Sequence, residues 1–266
     1  VFLSGNRSHF HLKNLRRRII IILMKKLKII IVAIILIAIG FIIYGALPAK
    51  ADIYGSSLVG WWRMDTNDDS NGVSLDRSGN GYNLQLINIA SSTFYSTGKL
   101  GQGFNFDGSN DYVNIGNPAS LQITGSLTLS AWVYLNDYSQ TTNRILTKFP
   151  ATAGQRSYEM SLDNDNSPNY NNLSILVSSN GTTLIYAYDE NPFPLTTWTL
   201  ATVVYDASAQ TLAIYKNGAL IPSTLSGVVP ASIFNGTGNV VIGQRSGISS
   251  TYFDGKIDDA RIYNRA

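Results

Sequence analysis

Cysteine is absent from the 266-residue chain, and its two histidines, His9 and His11, both precede a long apolar run. Everything after residue 51 therefore lacks both thiol and imidazole. Ser–His–Asp and Cys–His nucleophilic sites are excluded there, as are His-ligated zinc centres. Neither a disulfide nor a lipidated cysteine anchor can form. Glutamate is almost missing too, since only Glu159 and Glu190 occur. A further absence is acid at the N-terminus. Residues 1–51 hold nine Lys and Arg without one Asp or Glu; removing those nine from 20 basic residues leaves 11 against 17 acids. The part after residue 51 thus carries about −6, and the basic pI belongs to the leader. That subtraction removes the case for a nucleic-acid partner.

The leader reads as an export element. Ile29 to Leu47 is an unbroken apolar stretch of 19 residues, preceded by "MKKLK" and followed by "PAKAD". A basic n-region, an apolar core and the small residues Ala49 and Ala51 fit a secretory signal cleaved before Asp52. The run also reaches the roughly 20 residues that a membrane-spanning helix needs, so a retained anchor is the alternative. Both readings leave Lys and Arg inside and the rest of the chain outside the cytoplasm. Met24 begins a complete leader by itself, so residues 1–23 are read as an over-extended N-terminus, 24–51 as signal peptide or membrane anchor, and 52–266 as one exported domain.

After Asp52 the helical period disappears. "LTLSAWVYL" puts Leu127, Leu129, Ala131, Val133 and Leu135 on one face, with Thr128, Ser130, Trp132 and Tyr134 on the other. Similar runs are "SYEMSL", "LSILVSS", "TTLIYAY", "WTLATVVYD", "TLAIYKNG", "NVVIG" and "ARIYN". "KNG" at Lys216 to Gly218 is a hairpin signal, because Asn-Gly tolerates the positive φ angles of a type I′ turn. These runs predict about a dozen strands in an all-β, two-sheet antiparallel sandwich, large enough to bury roughly 70% of its unfolded surface.

The pieces "LVGWWRMD", "DRSGNG", "GKLGQGFNFDGSNDYVNIG", "SLTLSAWVYL", "WTLATVVYD", "LAIYKNG", "NVVIGQR" and "FDGKIDDARIYNRA" occur in that order between Leu58 and Ala266. In that order and spacing the chain resembles the laminin-G-like jelly-roll branch of the concanavalin A-like lectin/glucanase superfamily. The resemblance implies a jelly-roll sandwich. It also implies a truncated C-terminus, because family members continue past the equivalent of "YNRA" with a Leu and a short helical tail.

Carboxylates are the remaining chemistry. Glycosidases of the superfamily use two Glu, commonly around an Asp in an E-x-D-x-E-like pattern on one strand, as nucleophile and acid. Here "YEMSLD" offers Glu159 and Asp163, four residues apart with Ser161 between, and Glu190 falls in a turn. The expectation is no catalysis. "DTNDDSNGVSLD" begins like an EF-hand with Asp65, Asn67 and Asp69, but its sixth residue is Ser70 rather than Gly. The loop at Asp107 fails the same pattern, so "FDGSNDYVNIG" reads as a β-turn joining two core strands, with Asp111 bonded to nearby amides and a subsidiary role at a site rim left open. The resemblance implies a structural calcium instead, held by Asp76 and Asn80 from "DRSGNG" and by Asp258 from "KIDDARIY". Simple alternation places Asp258 with Ala260 and Ile262, where a carboxylate needs a cation or hydrogen bonds. Asp259 and Arg261 then form a surface ion pair. The competing reading of Asp76 is a turn residue capping its own backbone.

Aromatic residues supply the last lead. Trp132 and Tyr134 share a strand face, as do Tyr186 and Tyr188, and together they are expected to line a sugar platform; packing of the same faces is the rival. Trp61, Trp62 and Trp198 read as core or edge packing. The sequons at Asn172, Asn180 and Asn235 are chance matches in an Asn-rich chain. The expected function is a non-catalytic binding module for glycans or other cell-surface ligands, secreted or anchored to the membrane. An adhesin-like spacer and a glycan-cleaving enzyme are the alternatives.

Overall fold

The computed structural model describes residues 24, 28, 55, 57–65, 73–89, 94–140, 142–162, 171–248 and 251–266. Apart from residues 24 and 28, the leader lies outside the described residues, as does its expected membrane helix over Ile29 to Leu47. In chain order the described strands are β1 (Leu58–Trp62), β2 (Val73–Ser74), β3 (Leu84–Ile87), β4 (Tyr95–Thr97), β5 (Gln102–Asp107) and β6 (Tyr112–Gly116). They continue with β7 (Leu127–Leu135), β8 (Asn143–Lys148), β9 (Tyr158–Leu162), β10 (Leu173–Ser178), β11 (Leu184–Asp189) and β12 (Thr199–Asp206). The last five are β13 (Thr211–Lys216), β14 (Ala219–Ile221), β15 (Ser223–Leu225), β16 (Val240–Ile242) and β17 (Asp254–Tyr263).

These strands form two antiparallel sheets. The first runs β14-β13-β12-β7-β17-β5-β4 with β1 also on β17, and the second β15-β11-β10-β9-β8-β16-β6-β3-β2. Alternation explains how they stack, since successive side chains point to opposite faces. Leu127, Leu129, Ala131, Val133 and Leu135 of β7 are buried against Met160, Leu162, Ile175 and Val177 of the second sheet in one apolar core. The complementary set of β7, including Trp132 and Tyr134, remains half-buried on the outer face of the first sheet. The second sheet is different at its centre. Every residue of β8, β9 and β10 is buried, including Arg144, Thr147, Glu159, Ser161 and Ser174 on its outer face. A polar layer thus lies where a solvated face would be expected.

The local turns follow their residues. Asn217 and Gly218 both take positive φ, 51° and 81°, and reverse the chain between Lys216 and Ala219 as a type I′ hairpin requires. In "FDGSNDYVNIG" the reversal joins β5 in one sheet to β6 in the other. Gly108 takes φ 72°, and the Asp107 carboxylate accepts the amides of Ser109 (2.8 Å) and Asn110 (3.3 Å). The turn is therefore organised from its first acid, Asp107, and the inward residues of the next strand are Val113 and Ile115, with Tyr112 facing outward.

One strand breaks the simple alternation. β17 pairs with β5 through Asp254–Ile257 and with β1 through Ala260–Tyr263, while β7 runs along its other side. A bulge between Asp258 and Arg261 separates the two halves, with Asp259 at φ 50°. The extra residue restores inward positions for Ile257, Ala260 and Ile262 together. Asp258 consequently lies opposite Trp132 on the outer face. The expectation that Asp258 shares a face with Ala260 and Ile262 is corrected: the bulge shifts the parity by one.

Candidate functional site

The four aromatic residues expected to form one platform are divided between opposite outer faces. Trp132 and Tyr134 belong to β7 in the first sheet, and Tyr186 and Tyr188 to β11 in the second. Each pair also meets different chemistry. The Lys99 ammonium lies 4.9 Å from the centroid of the Trp132 ring, and Lys256 lies 5.3 Å from that of Tyr134. Trp198 packs beside Tyr134 with centroids 5.6 Å apart. On the other side Tyr186 and Tyr188 sit next to one another, centroids 6.2 Å apart and rings tilted by 34°. Tyr188 is opposite Thr224 of β15, whose hydroxyl donates to Glu190 Oε1 at 3.0 Å. The Tyr186 amide donates to Ser226 Oγ at 2.9 Å. Two half-buried rings are thus bordered by a hydroxyl and a carboxylate.

Further across that face, Glu159 is clamped between two arginines. Its Oε1 accepts Arg144 Nη1 at 2.7 Å and Arg245 Nη2 at 2.8 Å, while Oε2 accepts Arg245 Nε at 3.0 Å. The Arg245 guanidinium also lies 4.8 Å from the centroid of the Phe149 ring, and Arg156 lies 5.4 Å from it. Ser161 and Ser174 hydroxyls, 2.9 Å apart, continue the polar layer toward Tyr188. Both carboxylate oxygens of Glu159 are thus engaged, and Glu159 is completely buried. Glu190 is exposed beyond the end of β11 and contacts β15. Glu190 follows β11, two strand spacings from β9, and lies four residues along the chain from Tyr186, the β11 residue in line with Glu159 through Leu176. Asp163, the other expected strand carboxylate, lies outside the described residues.

The residues expected to hold calcium form two separate hydrogen-bond clusters. Asp76 organises its own loop: Oδ1 accepts the amides of Trp61 (3.1 Å) and Ser78 (2.8 Å), and Oδ2 accepts Ser78 Oγ (2.8 Å) and the Tyr82 amide (3.1 Å). Four donors already point at this carboxylate. Asn80 donates from Nδ2 to Val59 O (3.2 Å) and Ser78 Oγ (3.0 Å), tying the same loop to β1. Asp258 is held elsewhere, by the amides of Lys99 (2.8 Å) and Leu100 (2.7 Å) on Oδ2. The loop over it is fastened a second time where the Gln102 amide donates to Asp65 Oδ1 at 2.8 Å, and Asp65 Oδ2 takes Arg63 at 2.7 Å. Gly98 is needed there, because a Cβ would stand 2.4 Å from the Gln102 carbonyl and 2.8 Å from Asp258 Oδ2. Asp76 and Asn80 thus share one cluster, and Asp258 belongs to the other. Among the described residues no group of three or more His, Cys, Asp or Glu could hold a metal ion.

Asp259 meets Arg261 at 2.7 Å as expected, and additionally accepts Trp61 Nε1 at 2.5 Å. Asn172 is buried, with its amide donated to the Asp189 carbonyl at 2.7 Å, which leaves that sequon closed. Several buried polar residues have no counterpart in the sequence reading. Lys148 donates to Asn117 Oδ1 and to the carbonyls of Gly236 and Gly238 at 2.6–2.7 Å, and burial lowers its ammonium to a pKa of about 8. The clamp partners Arg144 and Arg245 lie 101 positions apart, so no local spacing marks them.

A laminin G-type family model, described as the concanavalin A-like lectin/glucanases superfamily, matches residues 107–266. The chain belongs to this superfamily. No curated protein matches the sequence. Among solved structures, this lectin-like sandwich is similar to domain 4 of AbnA, a GH43 extracellular arabinanase from Geobacillus stearothermophilus, in complex with arabinotriose. The identity is 20% and the TM-score 0.55, covering 78% of this chain and 92% of that one. It is also similar to the binding domain of botulinum neurotoxin serotype D/C at 13% identity and TM-score 0.53, covering 79% of this chain and 49% of that one. A Trypanosoma rangeli sialidase mutant displaying trans-sialidase activity gives 15% identity and TM-score 0.53, covering 79% of this chain and 31% of that one. These likenesses establish the shared fold; the chain spans about a third of the sialidase and half of the neurotoxin domain.

Two measurements follow from this arrangement. Glu159→Gln leaves two buried guanidinium groups short of a counter-charge, and such a break costs about 3–5 kcal/mol; the denaturant midpoint should fall accordingly. Asp258 gives a pH signature. Burial pushes its carboxyl up from 3.8 to about 6, against the amides of Leu100 and Lys99, with the charges of Asp259 and Asp65 adding to the rise. Because the folded value exceeds the unfolded one, ionised Asp258 destabilises the fold above about pH 6, and that cost is relieved as pH falls from there toward 3.8. Asp258→Asn keeps an oxygen for the two amides and removes the charge. Its melting temperature relative to the parent should be highest above pH 6 and converge with it near pH 4; a constant offset would contradict the assignment.

Proposed function

We propose that the domain after residue 51 is a non-catalytic binding module that takes neutral glycan chains on the outer face of its second sheet. The observation that carries this reading is the Tyr186–Tyr188 pair, two adjacent rings bordered by Thr224 and Glu190 and with neither ring facing a cation among the described residues. Apolar faces of pyranose or furanose rings stack on such surfaces, and the hydroxyl and carboxylate at the border accept and donate to sugar hydroxyls. The AbnA domain, which shares the fold, carries an arabinotriose in its structure. Among the described residues Glu159, the one strand glutamate, faces two guanidinium groups, which favours binding over hydrolysis. In this reading the basic leader and the apolar run from Ile29 to Leu47 deliver the domain outside the cytoplasm, released or tethered, where surface glycans are met.

A glycan array probed with the full chain tests the proposal. Binding should weaken about ten-fold or more in Tyr188→Ala, the equivalent of ~1.4 kcal/mol, and persist in Trp132→Ala. Undiminished binding in Tyr186→Ala/Tyr188→Ala, or an array with no positive glycan, overturns the site. Release of reducing sugars that ceases in Glu190→Gln overturns the non-catalytic reading.

A further inference from the structure

The opposite outer face, that of the first sheet, carries a different device. Four cations there are laid on aromatic rings: Lys256 on Tyr134 (5.3 Å), Lys99 on Trp132 (4.9 Å), Arg261 on Trp61 (4.8 Å) and Arg265 on Tyr263 (5.5 Å). Their order follows the pairing of β17 with β7, in which Lys256 lies opposite Tyr134, Asp258 opposite Trp132, Arg261 opposite Ser130 and Tyr263 opposite Thr128. From Tyr134 to Thr128 this row is about 20 Å long.

The acids of the same face do not neutralise it evenly. Asp259 is engaged with Arg261 and Trp61 Nε1. Asp258 and Asp65 are buried beneath the loop at Lys99 to Gln102 and accept its amides. Asp254 and Asp107 pair at the far end, beyond Lys256, and bond Asn136 Nδ2 and the amides of the Gly108 turn. Lys99, Lys256 and Arg265 make no ion pair among the described residues. Three pre-ordered positive charges therefore stand in a line on a domain of net charge about −6. Holding a lysine against a ring also removes part of the rotamer entropy that an anion would otherwise have to overcome on binding.

We infer that this face binds an extended acidic polysaccharide, its carboxylates meeting the row of Lys99, Lys256 and Arg265. A spaced polyanion matches a spaced row of cations, and charge complementarity of this kind gives both rate and register. The chemistry favours a polysaccharide over an anionic bilayer. Membrane-seated modules insert apolar side chains about 5–10 Å into the headgroup boundary, whereas Trp61, Trp132, Tyr134 and Tyr263 lie half-buried in a sheet face with cations on top. This inference stands apart from the Tyr186–Tyr188 reading, on another sheet and with another class of ligand.

Affinity electrophoresis of the full chain in gels containing polygalacturonate, with dextran gels as the neutral reference, tests it. The expected result is retardation by polygalacturonate only, abolished at about 0.5 M salt where the Debye length falls below ~5 Å. Lys99→Gln/Lys256→Gln should lose at least half of the retardation with its circular dichroism unchanged. Arg156→Gln, which removes a charge beside Phe149 on the other sheet, should keep it, and so should Tyr188→Ala. Absence of retardation in the parent chain, equal retardation in the double variant and the parent, or tighter capture by phosphatidylserine/phosphatidylcholine vesicles than by the polymer would each overturn the proposal.

Discussion

The last strand has to satisfy three neighbours at once. β17 runs along β7 on one side, and on the other it bonds first to β5 and then to β1. A regular strand cannot do this and still keep Ile257, Ala260 and Ile262 in the core, because the two halves need different registers. The bulge at Asp259 absorbs the mismatch, and its positive φ of 50° is held by the pairing on both sides. The arrangement of the first outer face depends on this one inserted residue. It turns Asp258 outward under the loop at Lys99, sets Asp259 against Trp61 and Arg261, and spaces the cations along the strand.

The two sheets handle outward polar groups in contrasting ways. On the first, charges lie over rings and remain close to solvent. On the second, Glu159, Arg144 and Arg245 are buried, with Ser161, Ser174 and Thr147 completing the layer. Burying three charges is tolerable only because each carboxylate oxygen meets a guanidinium donor. A carboxylate so held is a positioning group for the sheet, and its rigidity supports the neighbouring strands that present Tyr186 and Tyr188. The end of that sheet at β11 and β15 is the less buried one, with Tyr186 and Tyr188 half-buried and Glu190 exposed.

Much of this fold was legible in the sequence, for physical reasons. Alternation in "LTLSAWVYL" named the core residues of β7, since a strand period of 2 leaves few choices, and Asn217-Gly218 announced its hairpin by its tolerance of positive φ. The capping role of Asp76 was one of two readings, and its four donors fit that reading. The site was less legible. Alternation tells which residues of a strand share a face but not which sheet the strand joins, so Trp132 and Tyr186 could be placed on one platform on paper. The outward turn of Asp258 was hidden because a bulge leaves no mark in hydropathy. The burial of Glu159 was also hidden, since its two arginine partners come from β8 and from a loop 86 residues away.

The central claim is that the sandwich presents two independent binding faces, tyrosines on one and cation-bearing rings on the other. All four tryptophans, Trp61, Trp62, Trp132 and Trp198, belong to the first sheet or adjoin it, and none borders the Tyr186–Tyr188 pair. Their indole N–H resonances, followed in an NMR titration, therefore report the faces separately. Polygalacturonate should shift Trp132 and Trp61, and a neutral oligosaccharide that binds should leave all four in place. Indole shifts with the neutral sugar, or none with the acidic polymer, would contradict the two-face account.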